Sequence, residues 1–311
     1  MHWMFAKQFV KRFRLTGLTR SVFKQLVPIS FIAGLFVSGG ATADLLDPAM
    51  AIGGHSQHTL ADQWWAWALP ISPLVNPLLD STGAQGFRGD AGVRGDPGSA
   101  FFLAGSVTGA SIIRTVTVPH STPLFFPIIN TVFDNTVPIT DPLSPPTSLT
   151  AQQMLDLVAP LFDPTKVSLF LELDGVAVDP AKLLGLRQTT DANAPFTYTV
   201  TSADTLTTFF CCDDTLGTGV FPHTVSPVIT DGYWAALSGL APGSALSLHF
   251  GGTDAKGNRQ DDTYILRATS VPAPSPLLLI GIGLTALVAR RRRTQNSHGA
   301  RLEDSRSFGL L

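Results

Sequence analysis

Between Phe101 and Thr269 the chain is cut into short apolar runs, each closed off by Gly, Pro or Asp. No other feature constrains the fold as much. Runs over residues 101–106, 111–118, 123–129, 167–173, 196–201, 207–211, 232–238, 245–251 and 263–269 are rich in Val, Ile, Thr and Phe. Such side chains fit a pleated, half-buried surface. The last two runs flank a loop holding Asp254, Gly257 and Asn258, all good turn formers, and read as a hairpin. Helical patterns are fewer. Residues 59–69 (TLADQWWAWAL) read as a short amphipathic helix capped near Thr59 and stopped by Pro70. Residues 150–159 read as a second, capped by Thr150 and ended by Pro160, and Asp179-Pro180 opens a further helical turn. Many short strands with few helices predict a mainly β fold: an antiparallel β-sandwich, jelly-roll or immunoglobulin-like, with one or two short helices.

The distribution of charge agrees. The formal net charge of −2 hides a segregation: residues 44–270 hold nine Lys and Arg against 21 Asp and Glu, a net of −12. Such a surface repels phosphate backbones, so nucleic acid is not an expected partner. Within that stretch Glu172 is the lone Glu; the rest is Asp, which favours turns and caps over helix interiors. The two cysteines, Cys211 and Cys212, are adjacent and so do not staple distant segments. A vicinal disulfide, an intermolecular bridge and free thiols stay open.

The basic residues missing from the middle sit at the two ends. Residues 1–25 are basic with no acidic residue, and an apolar run over 26–37 leads to Ala41-Thr42-Ala43. A positive segment, a short apolar segment and an A-x-A site together predict a signal peptide over 1–43, cleaved after Ala43 by signal peptidase. An N-terminal membrane anchor is the alternative, and the run is short of the ~20 residues a span needs. At the other end stand Val271, Pro272, Ala273 and Pro274, then an apolar run over 277–289, then Arg290, Arg291, Arg292 and Arg293. The prolines keep the first part extended and accessible. The apolar part is read as a short membrane helix, its end held on the cytoplasmic side by the four arginines. At ~1.5 Å per residue it falls short of ~30 Å of hydrocarbon, which suits a transient anchor.

These three parts in this order resemble the PEP-CTERM sorting signal (271–293 here) of Gram-negative bacteria with exopolysaccharide systems. The resemblance implies processing by an exosortase, a precursor held transiently in the inner membrane, and release to the cell surface or extracellular matrix. Two departures stand out: Ala273 occupies the usual Glu position, and residues 294–311, read as a disordered tail, follow the arginines. In the middle, WWAWAL with Asn76-Pro77-Leu78-Leu79-Asp80, then FFLAGS, RTVTVP with LFFPIIN, DGYW, and APG before LHFGG resemble an uncharacterised family of exported bacterial proteins. That likeness spans most of 61–252 and implies no activity. It also implies that the six Gly-x-y triplets over 83–100, which contain two Arg-Gly-Asp tripeptides, are a local insertion. Six triplets with a single proline make a poor triple helix, so a flexible surface loop is expected there.

Chemistry-bearing motifs are sparse. No G-x-S-x-G, H-E-x-x-H or phosphate-binding glycine loop occurs. Asp213-Asp214 and Asp261-Asp262 are paired carboxylates, but neighbours in a strand point to opposite faces. Cys211, Cys212, Asp213, Asp214 and His223 are the densest set of potential metal ligands and lack a spaced zinc motif. Asp254, Asn258, Asp261 and Asp262 offer hard oxygens to Ca²⁺, or are solvated turn residues. Trp64, Trp65, Trp67 and Trp234 have two readings: a carbohydrate-stacking platform, or the packing of a helix on a sheet. No cofactor is implied. The expectation is a non-enzymatic, exported β-sandwich ectodomain (44–270) associated with exopolysaccharide or biofilm. Secreted carbohydrate-binding module and hydrolase, the latter on Asp213 or Asp262, are its alternatives.

Overall fold

A computed structural model describes residues 43–135, 148–210 and 221–270. The chain divides into a compact unit Met1–Thr269 and a second, Ser270–Leu311, of which Ser270 alone is described. In chain order the first unit holds α1 (Gln57–Ala68), α2 (Ala91–Arg94), β1 (Phe101–Phe102), β2 (Ile112–Val118), β3 (Leu124–Asp134) and α3 (Ala151–Val158). Then come β4 (Ser168–Leu173), β5 (Val176–Ala177), α4 (Pro180–Leu184), β6 (Arg187–Thr189), β7 (Phe196–Val200) and α5 (Leu206–Phe210). The last three are β8 (His223–Leu237), β9 (Ala245–Thr253) and β10 (Arg259–Ala268).

The strands form two open five-stranded sheets. In the first the order is β1-β3-β8-β6, with β7 pairing farther along β8; in the second it is β2-β10-β9-β4-β5. The pairs β1–β3 and β2–β10 are parallel, the others antiparallel. This corrects the expected fold. The protein is a mixed α/β fold with two open sheets and five α-helices among the described residues, not an antiparallel β-sandwich with one or two short helices.

The physical reason lies in β3 and β8. Along β8, Tyr233, Ala235 and Leu237 enter one apolar cluster, shared with Val116, Leu171, Leu248, Phe250 and Leu266 of the second sheet and with Met154 and Val158 of α3. Trp234 and Ala236, on the opposite face, enter another, shared with Leu60, Trp64, Trp65 and Ala68 of α1. Strand β3 alternates likewise: Leu124 and Phe126 on one side, Phe125 on the other. A sheet apolar on both faces needs a layer on each, and α1 supplies the second. The arrangement is therefore helix on sheet on sheet.

Local chemistry accounts for the helices. The side chain of Ser56, three residues before the expected cap at Thr59, caps α1. Thr150 and Gln153 close a reciprocal capping box on α3, and Asp179 caps α4 with Pro180 at its first position. Residues 207–211 were expected as a strand; over 206–210 they are helix α5. Thr205 starts it by receiving the Phe209 N–H on its carbonyl, while the Thr205 and Thr208 hydroxyls serve each other's backbone N–H. The hairpin β4–β5 turns on Asp174-Gly175, both at positive φ, a pairing suited to a two-residue turn.

The Gly-x-y run is not a flexible loop. It folds as a 3-10 turn over Gly86–Gly89 and then α2, capped by Asp90. A Cβ on Gly89 would lie 1.9 Å from the Phe102 carbonyl oxygen, and one on Gly83 would lie 2.5 Å from that of Thr115. Glycine is needed there for close approach to β1 and β2, not for a triple-helix axis. Arg94, of the second Arg-Gly-Asp, lies 3.5 Å above the Phe102 ring and donates to Ala100 and Gly89 carbonyls, so it is engaged in packing. Among the described residues no helix is long and apolar enough to cross a membrane. The expected membrane helix over 277–289 lies outside them, as do residues 1–42 of the expected signal peptide and the 294–311 tail.

Candidate functional site

Along α1, His58, Asp62 and Ala66 follow one another at helical i, i+4 spacing, with Thr59 and Gln63 alongside. Asp191, Ala194, Phe196 and Thr197, from the β6–β7 connection and the start of β7, form the opposite wall of a cleft of about 370 Å³. That lies within the ~300–1,000 Å³ typical of small-molecule sites. Its inner group is Asp62, 9 % exposed. The Thr190 hydroxyl donates to Asp62 Oδ1 at 2.5 Å and itself accepts the Thr230 N–H at 2.8 Å, which ties the carboxyl to β8.

No Lys or Arg lines the cleft, and no ion pair reaches Asp62 among the described residues. Burial raises the Asp62 pKa to about 7, opposed by the weaker pull of the Thr190 hydrogen bond. A cleft-lining carboxyl near the midpoint of its titration at neutral pH is a feature of functional sites. Gln63 Oε1 is buried with no hydrogen-bond partner, a second polar group of the lining left unsatisfied.

Other polar clusters are built differently. Arg114, Asp262 and Tyr264 are all buried. Arg114 donates to Asp262 Oδ1 at 2.8 Å, Tyr264 Oη at 3.0 Å and the carbonyls of Ala104 and Asp80. The Ser106 N–H binds the other Asp262 oxygen at 2.8 Å. Burial pushes Asp262 up to about 6 against the pull of Arg114, and burial also raises Tyr264. Apart from Arg114 Nη2, which is buried without a partner, the groups satisfy one another, and beside them is a cavity of only about 10 Å³, about one water's worth. Arg187 grips Asp231 in bidentate fashion at 2.9 and 2.6 Å and braces β6 against β8.

On the second sheet His249 sits between Asp261 at 3.0 Å and Glu172 at 3.3 Å. The Ser111 hydroxyl donates to Asp261, not to His249, so no serine is activated by the imidazole. Burial, which would raise the Asp261 pKa, is outweighed by the hydrogen bonds of Ser111 and His249 and by the Arg259 charge, and the group lies below the ordinary carboxylate range.

The residues singled out in the sequence fall as follows. Trp64, Trp65 and Trp234 are 1, 7 and 0 % exposed, so they form no surface platform. Trp64 stands edge-on to Trp234 at 5.5 Å and donates its indole N–H to the Leu103 carbonyl. Half-buried Trp67 meets Trp64 and Phe102 edge-on. Asp254 binds the Asn258 amide and two backbone N–H groups of its own turn, while Asp261 and Asp262 point to opposite faces. No Ca²⁺ set converges, and among the described residues no three His, Cys, Asp or Glu side chains group as metal ligands. Asp262, offered for a hydrolase, is sealed against Arg114.

Cys211, Cys212, Asp213 and Asp214 lie outside the described residues, as do Ala41, Val271, Pro272, Ala273, Pro274 and Arg290 to Arg293. Ala43 is described and buried. Asp62, Thr190, Asp191 and Phe196 were not anticipated. The one available signal was Asp62 itself, an acidic residue inside a run of large apolar side chains. No family model, no curated protein and no solved structure matches the chain.

Proposed function

We propose that the chain is an exported, exosortase-processed protein of a Gram-negative bacterium. Held first at the inner membrane and then displayed at the cell surface or in the extracellular matrix, it acts there by binding, not catalysis, in association with exopolysaccharide. One observation carries the reading: among the described residues, Asp44 and Thr269, beside the two expected processing points, are both hydrogen-bonded to the β8–β9 connection.

Immediately after Ala43, the Asp44 N–H donates to Ser238 Oγ at 2.8 Å, the Ser238 N–H returns to the Asp44 carbonyl at 2.8 Å, and Leu45 bridges Leu237. Two residues before Val271, Thr269 is fixed by Val118, Gly243 and His120. Removal of both ends at those points leaves every strand among the described residues intact. Ala43 is buried, so cleavage after it belongs to the unfolded, translocating chain, the form in which signal peptides are removed. Mass spectrometry of the protein from fractionated cells tests the proposal. The expected result is an N-terminus at Asp44, loss of peptides from 277–289, and recovery from the envelope or medium. Intact full-length chain confined to the cytosol overturns it.

A further inference from the structure

The unexplained feature of the fold is a carboxyl kept in a roomy cleft without a cation. Buried Asp262 has Arg114, and buried Asp231 has Arg187; Asp62 has only the hydroxyl of Thr190. Its second oxygen meets no hydrogen bond or ion pair among the described residues, although the side chain lines the cleft. The exposed carboxyl of Asp191 adds to the negative potential, and the only ionisable nitrogen in the lining is exposed His58. A site of this make-up rejects anions and is completed by a ligand that brings a positive charge of its own.

The remainder of the lining narrows the ligand. Phe196 presents a half-buried ring. The hydroxyls of Thr59 and Thr197 supply both donors and acceptors, while Gln63 Oε1 is itself buried and its amide nitrogen lies 3.4 Å from His55 Nδ1. An aromatic ring beside two hydroxyls is suited to a polyhydroxylated ring, whose C–H face packs on the aromatic while its hydroxyls exchange hydrogen bonds.

We infer that the cleft between α1 and β7 binds a pyranose carrying a free amino group, its ammonium directed to Asp62 and its ring laid on Phe196. This deepens the display reading by naming the class of sugar met outside the cell, and rests on that reading only for the place of encounter. Binding would be strongest with Asp62 ionised, so affinity is lost as the pH falls through the point where the carboxyl protonates.

The test is calorimetric titration of the full-length chain with a glucosamine tetramer, its N-acetylated counterpart and a glucuronic acid oligomer. The expected result is at least tenfold tighter binding of the free amine than of the acetylated form, and no binding of the acid. Asp62→Asn, of the same shape, should weaken the amine at least tenfold. Ala66→Trp, which fills the cleft without touching the charge, should weaken it as much, and Thr263→Ala on the second sheet should not. Equal affinity for amine and amide, no binding of either, or full binding by both cleft variants overturns the inference. Because titration reads the cleft and mass spectrometry reads the ends, a processed chain that binds no amine sinks this inference alone. An unprocessed chain that binds it sinks only the display reading.

Discussion

Replacing Asp62 by Asn probes the electrostatics of the cleft through stability alone. The carboxyl is 9 % exposed, and burial raises its pKa from 3.8 to about 7. A group whose folded-state pKa exceeds its unfolded value takes up protons on folding. The stability it contributes is complete below the unfolded pKa and is lost as pH rises through about 7. At about 1.4 kcal/mol per pH unit over roughly three units, the loss amounts to about 4 kcal/mol.

Asn keeps the shape, still accepts the Thr190 hydroxyl, and never ionises. Wild type and Asp62→Asn should therefore agree within about 0.5 kcal/mol at pH 4, and the variant should lead by about 4 kcal/mol at pH 8. For a domain of this length that is about 8–16 °C in Tm. Urea unfolding of both proteins at pH 4, 6 and 8 measures it. Asp262, raised to about 6, tilts the wild-type curve in the same direction between about pH 4 and 6. The difference between the two proteins isolates Asp62. A lead below about 1 kcal/mol at pH 8 would show that the carboxyl is not desolvated. A lead equally large at pH 4 would assign the gain to packing. Either result refutes the reasoning.

Two further outcomes test the frame around the cleft. Arg114→Met should cost about 3–5 kcal/mol, because it strands the Asp262 carboxylate among apolar groups. Adding Asp262→Asn should recover part of that loss, as urea midpoints will show. Gly89→Ala should cost about 1–3 kcal/mol by the same measurement, since its methyl would press on the Phe102 carbonyl. A flexible Gly-x-y loop would absorb that change without loss.

What the sequence disclosed follows from the range of the interactions involved. Helices α3 and α4 were legible because their caps, Thr150 with Gln153 and Asp179 with Pro180, act within one turn. Strands β2, β9 and β10 were legible because their runs are continuous and turn-bounded. Strand β8 was read from Gly232 but begins at His223: its first half carries Pro227, Thr230 and Asp231, unpromising until partners are known. Thr230 and Asp231 are tolerated in the interior because Thr190 and Arg187 arrive from β6 and its end, about 40 residues away in the chain. The fold class failed for the same reason. That Trp64 covers Trp234 is a contact across the whole domain, and without it the tryptophans keep two readings, core packing and platform. The cleft depends on two segments, 58–66 and 191–197, that no local signal connects.

Strand β8 is what joins the two parts of the proposal. At its end, Leu237 pairs with Leu45 and Ser238 holds Asp44, and the turn that follows holds Thr269. Farther back, Thr230 holds Thr190, which holds Asp62. From Thr230 to Leu237 the strand advances by seven residues, about 23 Å at ~3.3 Å per residue. The cleft is thus set well back along β8 from the end that holds Asp44 and Thr269. None of the residues that line the cleft lies in either tail. A single long strand, buried on both faces, thereby fixes the ends and orients the ligand-facing carboxyl. That explains why β8 accepts a buried Thr and a buried Asp at its centre, where an ordinary core strand would carry valine or isoleucine.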